Sequence, residues 1–272
     1  MQTVSVIIPY HKDHTPSGKL QRAKESIVNQ SVETESIVVI DEYSNGPAWA
    51  RNQGLERASH QYVAFLDADD FWEPDKLERQ LKRLNATGLG LCVEGDPPEG
   101  TQEFIRRLYC GERSSLTSSI LIDRSQVDTR WEESLERKED HLFMLEAAYE
   151  AGVCACSDIV NIEKHEKGLT ATGNRETVLR AERRYINLAV ELVPPLQPYY
   201  DDQAADVWFR TGRHYHFIGE YRQALRAFNI SSQYAFSPYL IPAVVMTIIH
   251  WLSPLHPMDL DGDLLSSIAK SK

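Results

Sequence analysis

The sequence predicts an α/β domain built on a mostly parallel sheet, followed by a smaller α-helical domain. Three observations carry that expectation. Short β-branched runs, Val4 to Tyr10, Ser36 to Ile40 and Tyr62 to Leu66, alternate with stretches of helical periodicity, which is the strand–helix–strand order of a doubly wound sheet. The second and third runs end in acidic residues, at the edge where such sheets bind ligands. After about Asn174 strand-like runs disappear and apolar residues recur at helical spacing. The domain division expected is therefore 1–173 and 174–272.

Composition narrows the partners. The chain has 272 residues and a formal net charge of −11, which disfavours nucleic acid because a phosphate backbone requires a basic face. A polyanionic ligand must then be held by a local cation. Four cysteines, Cys92, Cys110, Cys154 and Cys156, are too few and too scattered for a disulfide framework or a zinc site, and are expected to be reduced and mostly buried. A strand pattern starts almost at once, with no signal-peptide pattern before it, so the expected location is the cytoplasm.

Each element has its own signal. Val4 to Tyr10 is a near-continuous β-branched run stopped at Pro9, as in a central parallel strand. Helical spacing then runs through Leu20, Ala23, Ile27 and Val28, and the second strand ends in Asp41-Glu42. Asn45-Gly46-Pro47 marks a turn before a helix holding Arg51. Near the helix start, Arg51 either holds a base or phosphate or pairs with the acid clusters. Pro74 opens an amphipathic helix from Lys76 to Leu84, closed by Asn85 to Gly88. Gly95 to Gly100 reads as a variable loop, Gln102 to Tyr109 as a helix, and Ser114 to Ile122 as a hydroxyl-rich loop running into a strand. Its hydroxyls serve either sugars or the turn itself. One further strand is expected over Ala155 to Ile162.

The densest chemistry lies in Phe65-Leu66-Asp67-Ala68-Asp69-Asp70-Phe71-Trp72. Clustered carboxylates at a strand end suit Mg²⁺ or Mn²⁺, which complete their shells with substrate phosphates. The competing reading is a solvated acidic turn capping the next helix through Asp70 or Asp75. No glycine-rich phosphate loop occurs, so phosphates would be bound through metal and side chains.

Four segments, in order, resemble the family-two inverting glycosyltransferases with the GT-A fold. Val4 to Tyr10 is similar to their opening "VSVIIP" strand, Ile37 to Ser44 to "IVVDDGS", Ala50 to Leu55 to "ARNxG", and Phe65 to Asp70 to "LDADD". The resemblance covers roughly the first 170 residues. It implies a nucleotide diphosphate sugar donor, a UDP-sugar first among them, held by Pro9, Tyr10, Asp41, Glu42, Arg51, Asp67, Ala68 and Asp69. It further implies a divalent metal on Asp69 and Asp67, with His165 as a third ligand, and a strand-end acid that reads the base. Here Asp41-Glu42-Tyr43 stands where the family has Asp-Asp-Gly. The stretch Glu132 to Phe143 is similar to the segment that carries the family's Glu-Asp pair, which implies Asp140 as catalytic base with Glu139 in support. Without the resemblance these two acids read as helix N-terminal charges. Gly168 to Gly173 would close over the donor.

The second half is expected to carry one helix pair. Trp208, Gly212, Tyr215, Gly219, Tyr221, Ala224 and Phe228 are spaced as in a tetratricopeptide repeat. Leu240 to Leu252, interrupted by Pro242, is too short to span a bilayer of roughly 30 Å. It reads either as the buried helix after the repeat or as an interfacial helix making peripheral membrane contact. The whole reads as a metal-dependent, inverting hexosyltransferase acting on a glycan or lipid-linked acceptor, in the cytoplasm or at the inner face of the membrane. The rivals are a catalytically inactive GT-A scaffold whose helical tail binds a protein, and a nucleotidyltransferase, which the missing basic glycine-rich loop disfavours.

Overall fold

The computed structural model describes residues 2–98, 100–114, 116–157, 159–161 and 174–252. It divides into two compact units, Met1–Thr172 with Asn187–Gln197, and Gly173–Ile186 with Pro198–Lys272.

In the first unit, β1 (Val4–Tyr10), α1 (Ser17–Val28), β2 (Thr34–Ile40), α2 (Pro47–Arg57) and β3 (Tyr62–Phe65) follow the expected order. They are followed by β4 (Phe71–Trp72), α3 (Lys76–Thr87), β5 (Leu91–Glu94), α4 (Thr101–Tyr109), β6 (Leu121–Asp123), α5 (Glu139–Ala151), β7 (Val153–Cys156) and β8 (Val160–Asn161). A six-stranded sheet has the order β2-β1-β3-β6-β5-β7. The pairs β1–β2, β1–β3 and β5–β7 are parallel, while β6 runs antiparallel to both its neighbours. Two reversals cancel, so the carboxyl ends of β1, β2, β3, β5 and β7 lie along one edge. Because β6 is reversed, its entry turn, Thr117–Ser119, reaches the same edge.

The strands β1 and β3 are apolar but for Ser5 because both faces are covered; Val4, Val6, Ile7, Ile8, Val63, Ala64 and Phe65 are fully buried. Helix α2 packs closely on β1 at Gly54, where a Cβ would sit 2.3 Å from Ile7 Cγ2. Helix α3 buries Leu77, Leu81 and Leu84 and stops at Gly88, whose left-handed φ of 68° suits glycine.

Two expectations are corrected. Leu91–Glu94 is a strand where none was expected. The single strand expected over Ala155 to Ile162 is two: β7 pairs with β5, whereas β8 pairs antiparallel with β4 in a separate two-stranded sheet. The chain leaves β7 because the carboxylate of Glu94 accepts the backbone N–H groups of Ile159 and Val160 at 2.9 and 3.2 Å, replacing ladder bonds.

The helix α6 (Arg175–Leu192) contributes its first part to the second unit. A 3₁₀ segment, Pro194–Tyr199, precedes α7 (Tyr200–Phe217), α8 (Tyr221–Tyr234) and α9 (Leu240–Leu252). The helices α7 and α8 approach at Gly212, where a Cβ would meet the Phe228 ring at 2.5 Å, and Ser231 donates to the Ala205 carbonyl at 2.8 Å. Pro242 does not break α9: it falls in the first turn, where the missing N–H has no helical partner to lose. Nor is α9 wholly buried. Leu240, Thr247 and His250 face inward, whereas Ile241, Val245, Ile248, Ile249 and Leu252 are exposed. Among the described residues no helix is long and apolar enough to cross a membrane.

Candidate active site

The acids after β3 are organised by one buried arginine. Arg51, on the buried face of α2 and 3% exposed, places Nη2 2.8 Å from Asp67 Oδ1 and Nη1 3.2 Å from Glu139 Oε1. Its guanidinium lies 4.4 Å from the Trp131 ring centroid, and Trp131 stacks on Phe143 at 4.3 Å, with Phe65 edge-on to both. An apolar floor of this kind strengthens the ion pairs above it, because little solvent screens them. Burial works against the Arg51 charge, but Asp67, Glu139 and Asp140 outweigh it and raise its pKa. For Glu139 the balance is reversed: burial raises its pKa despite Arg51.

Asn52, next in sequence, fixes the approach to Glu139. Its amide donates to the Trp131 carbonyl and to Glu133 Oε1, at 2.9 and 2.7 Å, and its oxygen accepts the Trp131 N–H at 2.9 Å. Lys138 then turns the chain with a left-handed φ of 68°, and α5 starts at Glu139. Asp140 follows, with Oδ1 accepting the His141 backbone N–H at 2.8 Å and lying 3.1 Å from His141 Nδ1.

The hydroxyl of Ser118 organises the other side. It donates to Asp70 Oδ2 at 2.6 Å and accepts the Asp67 N–H at 3.0 Å. The serine is itself pinned: Trp72 Nε1 donates to its carbonyl at 2.7 Å, and Gln80 Nε2 to the next carbonyl, of Ser119, at 2.7 Å. Burial, reinforced by the Asp67 charge, pushes Asp70 up to about 7 against the Ser118 hydrogen bond. Among the expected hydroxyls, Ser118 therefore serves the acidic turn. Asp75 precedes α3 but makes no side-chain cap hydrogen bond.

At the neighbouring strand ends, Pro9 and Tyr10 pair in register with Val39 and Ile40. Asp41 is buried and spends both oxygens on its own turn, accepting from Tyr43 N–H, Asn45 Nδ2 and Gly46 N–H at 3.2, 3.1 and 2.8 Å. Burial raises its pKa, yet these hydrogen bonds outweigh burial and hold it below the usual carboxylate range. Glu42 is exposed beside it. Among the described residues no hydrogen bond or ion pair joins Pro9, Tyr10, Asp41 or Glu42 to the Arg51 group. Ala68 is buried, and Asp69 half-buried between Asp67 and Asp70. His165 and the 168–173 segment lie outside the described residues.

Among the described residues no three His, Cys, Asp or Glu side chains surround one point as metal ligands. The donor set still fits a hard cation, since Mg²⁺ is typically held by one or two carboxylates and completed by substrate phosphates. Sequence reasoning passed over Asn52 and Trp131. Their roles rest on partners far along the chain, and the only local signal was the position of Asn52 within Ala50-Arg51-Asn52.

Residues 37–156 match the family model described as glycosyl transferase family 2. The chain is 38% identical over 115 residues to the Escherichia coli enzyme UDP-Glc:alpha-D-GlcNAc-diphosphoundecaprenol beta-1,3-glucosyltransferase WfaP, covering 37% of this chain and 44% of that protein. The match thus spans less than half of that relative's length. Staphylococcus aureus TarS 1–349, solved in complex with UDP-GlcNAc, superposes with a TM-score of 0.64 at 18% identity, covering 92% of this chain and 89% of that one. A mannosyltransferase from Pyrobaculum calidifontis, solved with GDP-Man and Mn²⁺, gives a TM-score of 0.53 at 14% identity, covering 92% and 81%. The fold is accordingly the GT-A nucleotide-sugar-binding fold followed by a helical region.

Proposed function

We propose that this chain is an inverting hexosyltransferase that moves a sugar from a nucleotide diphosphate sugar, a UDP-sugar first among them, to a hydroxyl of a glycan or lipid-linked acceptor. The observation that carries the reading is the Arg51 bridge. It brings the acids after β3 and the Glu139-Asp140 pair to one sheet edge, where a donor and an acceptor can meet. The family match over 37–156, and the fold shared with a protein solved with UDP-GlcNAc, support it. So does the name of the E. coli relative, which is that of an enzyme using UDP-Glc and a lipid-linked acceptor.

In this reading Asp140 takes the proton from the acceptor hydroxyl as its oxygen attacks the anomeric carbon. The bond from that carbon to the phosphate oxygen breaks, the nucleoside diphosphate leaves from the opposite face, and the configuration inverts. Asp69 and Asp67, with His165 as a further ligand, would hold Mg²⁺ or Mn²⁺, which when bound would supply positive charge for the diphosphate. Glu139 is fixed by Arg51 and keeps the start of α5 in place, so that Asp140 is presented at the edge. Pro9, Tyr10, Asp41 and Glu42 form the end of the site that would receive the base. The division at 173/174, a repeat-like role for α7 and α8, a cytoplasmic location and peripheral membrane contact through 240–252 belong to the same proposal.

Calorimetric titration with UDP, GDP and dTDP, each with Mn²⁺ and with EDTA, tests it. One nucleotide should bind only with metal, and Asp69→Ala should abolish that binding. Asp140→Asn should keep the binding and lose transfer by a factor of about 10²–10⁴. Unaltered transfer in Asp140→Asn would remove the base assignment. Failure of every nucleotide to bind the folded protein would favour the scaffold reading.

A further inference from the structure

Three of the four thiols gather beneath α3. In the β5–β7 ladder Cys92 stands opposite Cys154, and Cys156 is two positions further along the same strand face. Cys92 is fully buried and its sulfur lies 4.0 Å from that of Cys156, which is partly exposed. Cationic side chains of α3 cover the pair. Arg79 donates to the Ser157 carbonyl at 2.5 Å, directly beside Cys156. Lys76 is buried 4.0 Å from the Trp72 ring centroid, and Arg83 lies on the same helix. None of these groups is used in the transfer chemistry above.

We propose that Cys92 and Cys156 form a redox-modifiable dithiol, in which a hydroperoxide oxidises Cys156 and Cys92 closes the disulfide. In the first step the Cys156 thiolate attacks the peroxide oxygen, the O–O bond breaks, and Cys156 becomes a sulfenic acid while the peroxide leaves as hydroxide or alkoxide. In the second step the Cys92 sulfur attacks the Cys156 sulfur, the S–OH bond breaks, and the hydroxyl leaves as water with the Cys92 proton. Two thiols and one peroxide thus give one disulfide. Cys156 is the partly exposed sulfur that a peroxide can reach, and the Cys92 hydrogen bond, with the charges of Arg79, Arg83 and Lys76, outweighs burial and lowers its pKa, so that Cys156 is the attacking group. Hydrogen bonding to its two neighbours, and then burial, push Cys92 up, which suits a partner that reacts second.

Closure takes the sulfurs from 4.0 Å to about 2.05 Å. The strand β7 stands at the sheet margin, with β5 as its one neighbour in the sheet order, so a shift of β7 disturbs no second ladder of that sheet. A shift would be passed on through Ile159 and Val160, held by Glu94, to β8 and so to β4, which follows Asp70. Any effect on nucleotide binding rests on the function proposed above; the thiol chemistry does not.

The test is peptide mass mapping of the full chain. At pH 7, limiting iodoacetamide should label Cys156 about tenfold faster than Cys110, its partly exposed counterpart outside the cluster. Equimolar hydrogen peroxide should give a Cys92–Cys156 disulfide reversed by dithiothreitol. In Cys92→Ser the same peroxide treatment, with dimedone added, should leave a dimedone adduct on Cys156. Labelling of Cys110 as fast as Cys156, a disulfide that omits Cys156, or peroxide treatment that leaves the cluster reduced would each overturn the proposal. The competition experiment uses the unaltered protein, so it decides even where a serine variant fails to fold. Loss of nucleotide affinity on oxidation, restored by dithiothreitol, is expected only where the unoxidised protein binds nucleotide.

Discussion

Asp67 and Glu139 share one buried guanidinium, with Arg51 2.8 Å from the first and 3.2 Å from the second. Among the described residues neither acid forms another ion pair, so the arginine sets the distance between the turn after β3 and the start of α5. Arg51→Met keeps the stem over Trp131 and removes the charge. It should destabilise the fold by about 3–5 kcal/mol, because two partly buried acids are left facing each other. Thermal unfolding will measure this, and the loss should shrink in acid as the carboxylates protonate. An unchanged melting temperature would mean that the bridge is dispensable.

Ser118→Ala removes a single hydroxyl that serves both Asp70 and the Asp67 N–H. Two partly buried polar groups lose their partner, at a cost of about 1–3 kcal/mol. We expect metal-dependent nucleotide affinity to fall roughly tenfold, on the scale where 1.4 kcal/mol is a factor of ten, with little change in far-ultraviolet circular dichroism. Equal affinity in the variant would sever Ser118 from the site.

Gly54→Ala should cost about 1–3 kcal/mol by overpacking, since the new methyl group would collide with Ile7 Cγ2. The same change made in an Ile7→Ala background should cost much less, as expected for two residues in contact. Urea denaturation of the four proteins in this cycle gives the coupling directly. Additive costs would show that the α2–β1 approach is not what limits the residue at position 54.

Glu146, outside the site, contributes to the pH dependence of stability. Burial, with Glu150 and Glu132 adding to it, raises Glu146 to about 7 from an ordinary 4.5. Between those values the folded chain holds a proton that the unfolded chain has released, so this group favours folding at low pH and loses that contribution as pH rises to 7. Glu146→Gln should therefore raise the melting temperature above that of the parent at pH 8 and leave it nearly unchanged at pH 4. A constant difference at both values would exclude the linkage.

The strands β1 and β3 were legible because burial on both faces writes a nearly continuous apolar run into the sequence, and the edge strand β2 because its run Ile37 to Ile40 is wholly β-branched. Strand β5 was not, since four residues between Gly90 and Gly95, one of them a cysteine, resemble a loop. No glycine or proline separates Cys156 from Val160, so β7 and β8 read as one strand. Their division comes from Glu94, whose carboxylate captures two N–H groups from a distant segment. The acids of the site were visible as a cluster, but what holds them was not. Arg51 carries two readings in the sequence, and its ion pairs depend on Glu139, which only the folded chain brings near. The hydroxyls of Ser114 to Ser119 were ambiguous for the same reason: the distance of Ser118 from Asp70 is set by Trp72 and Gln80 acting on its backbone.

The reversed strand β6 also fixes an order of events during synthesis. Strands β1, β2 and β3 can pair as soon as they leave the ribosome, but the far edge of β3 has no neighbour until β6 has been made. Until then a fully apolar strand presents open N–H and C=O groups next to a turn of three carboxylates whose arginine still lacks its second acid. The charge on that turn is itself a deterrent to pairing with another nascent chain. The acids that Arg51 later gathers thus keep the growing sheet from pairing with a neighbouring chain.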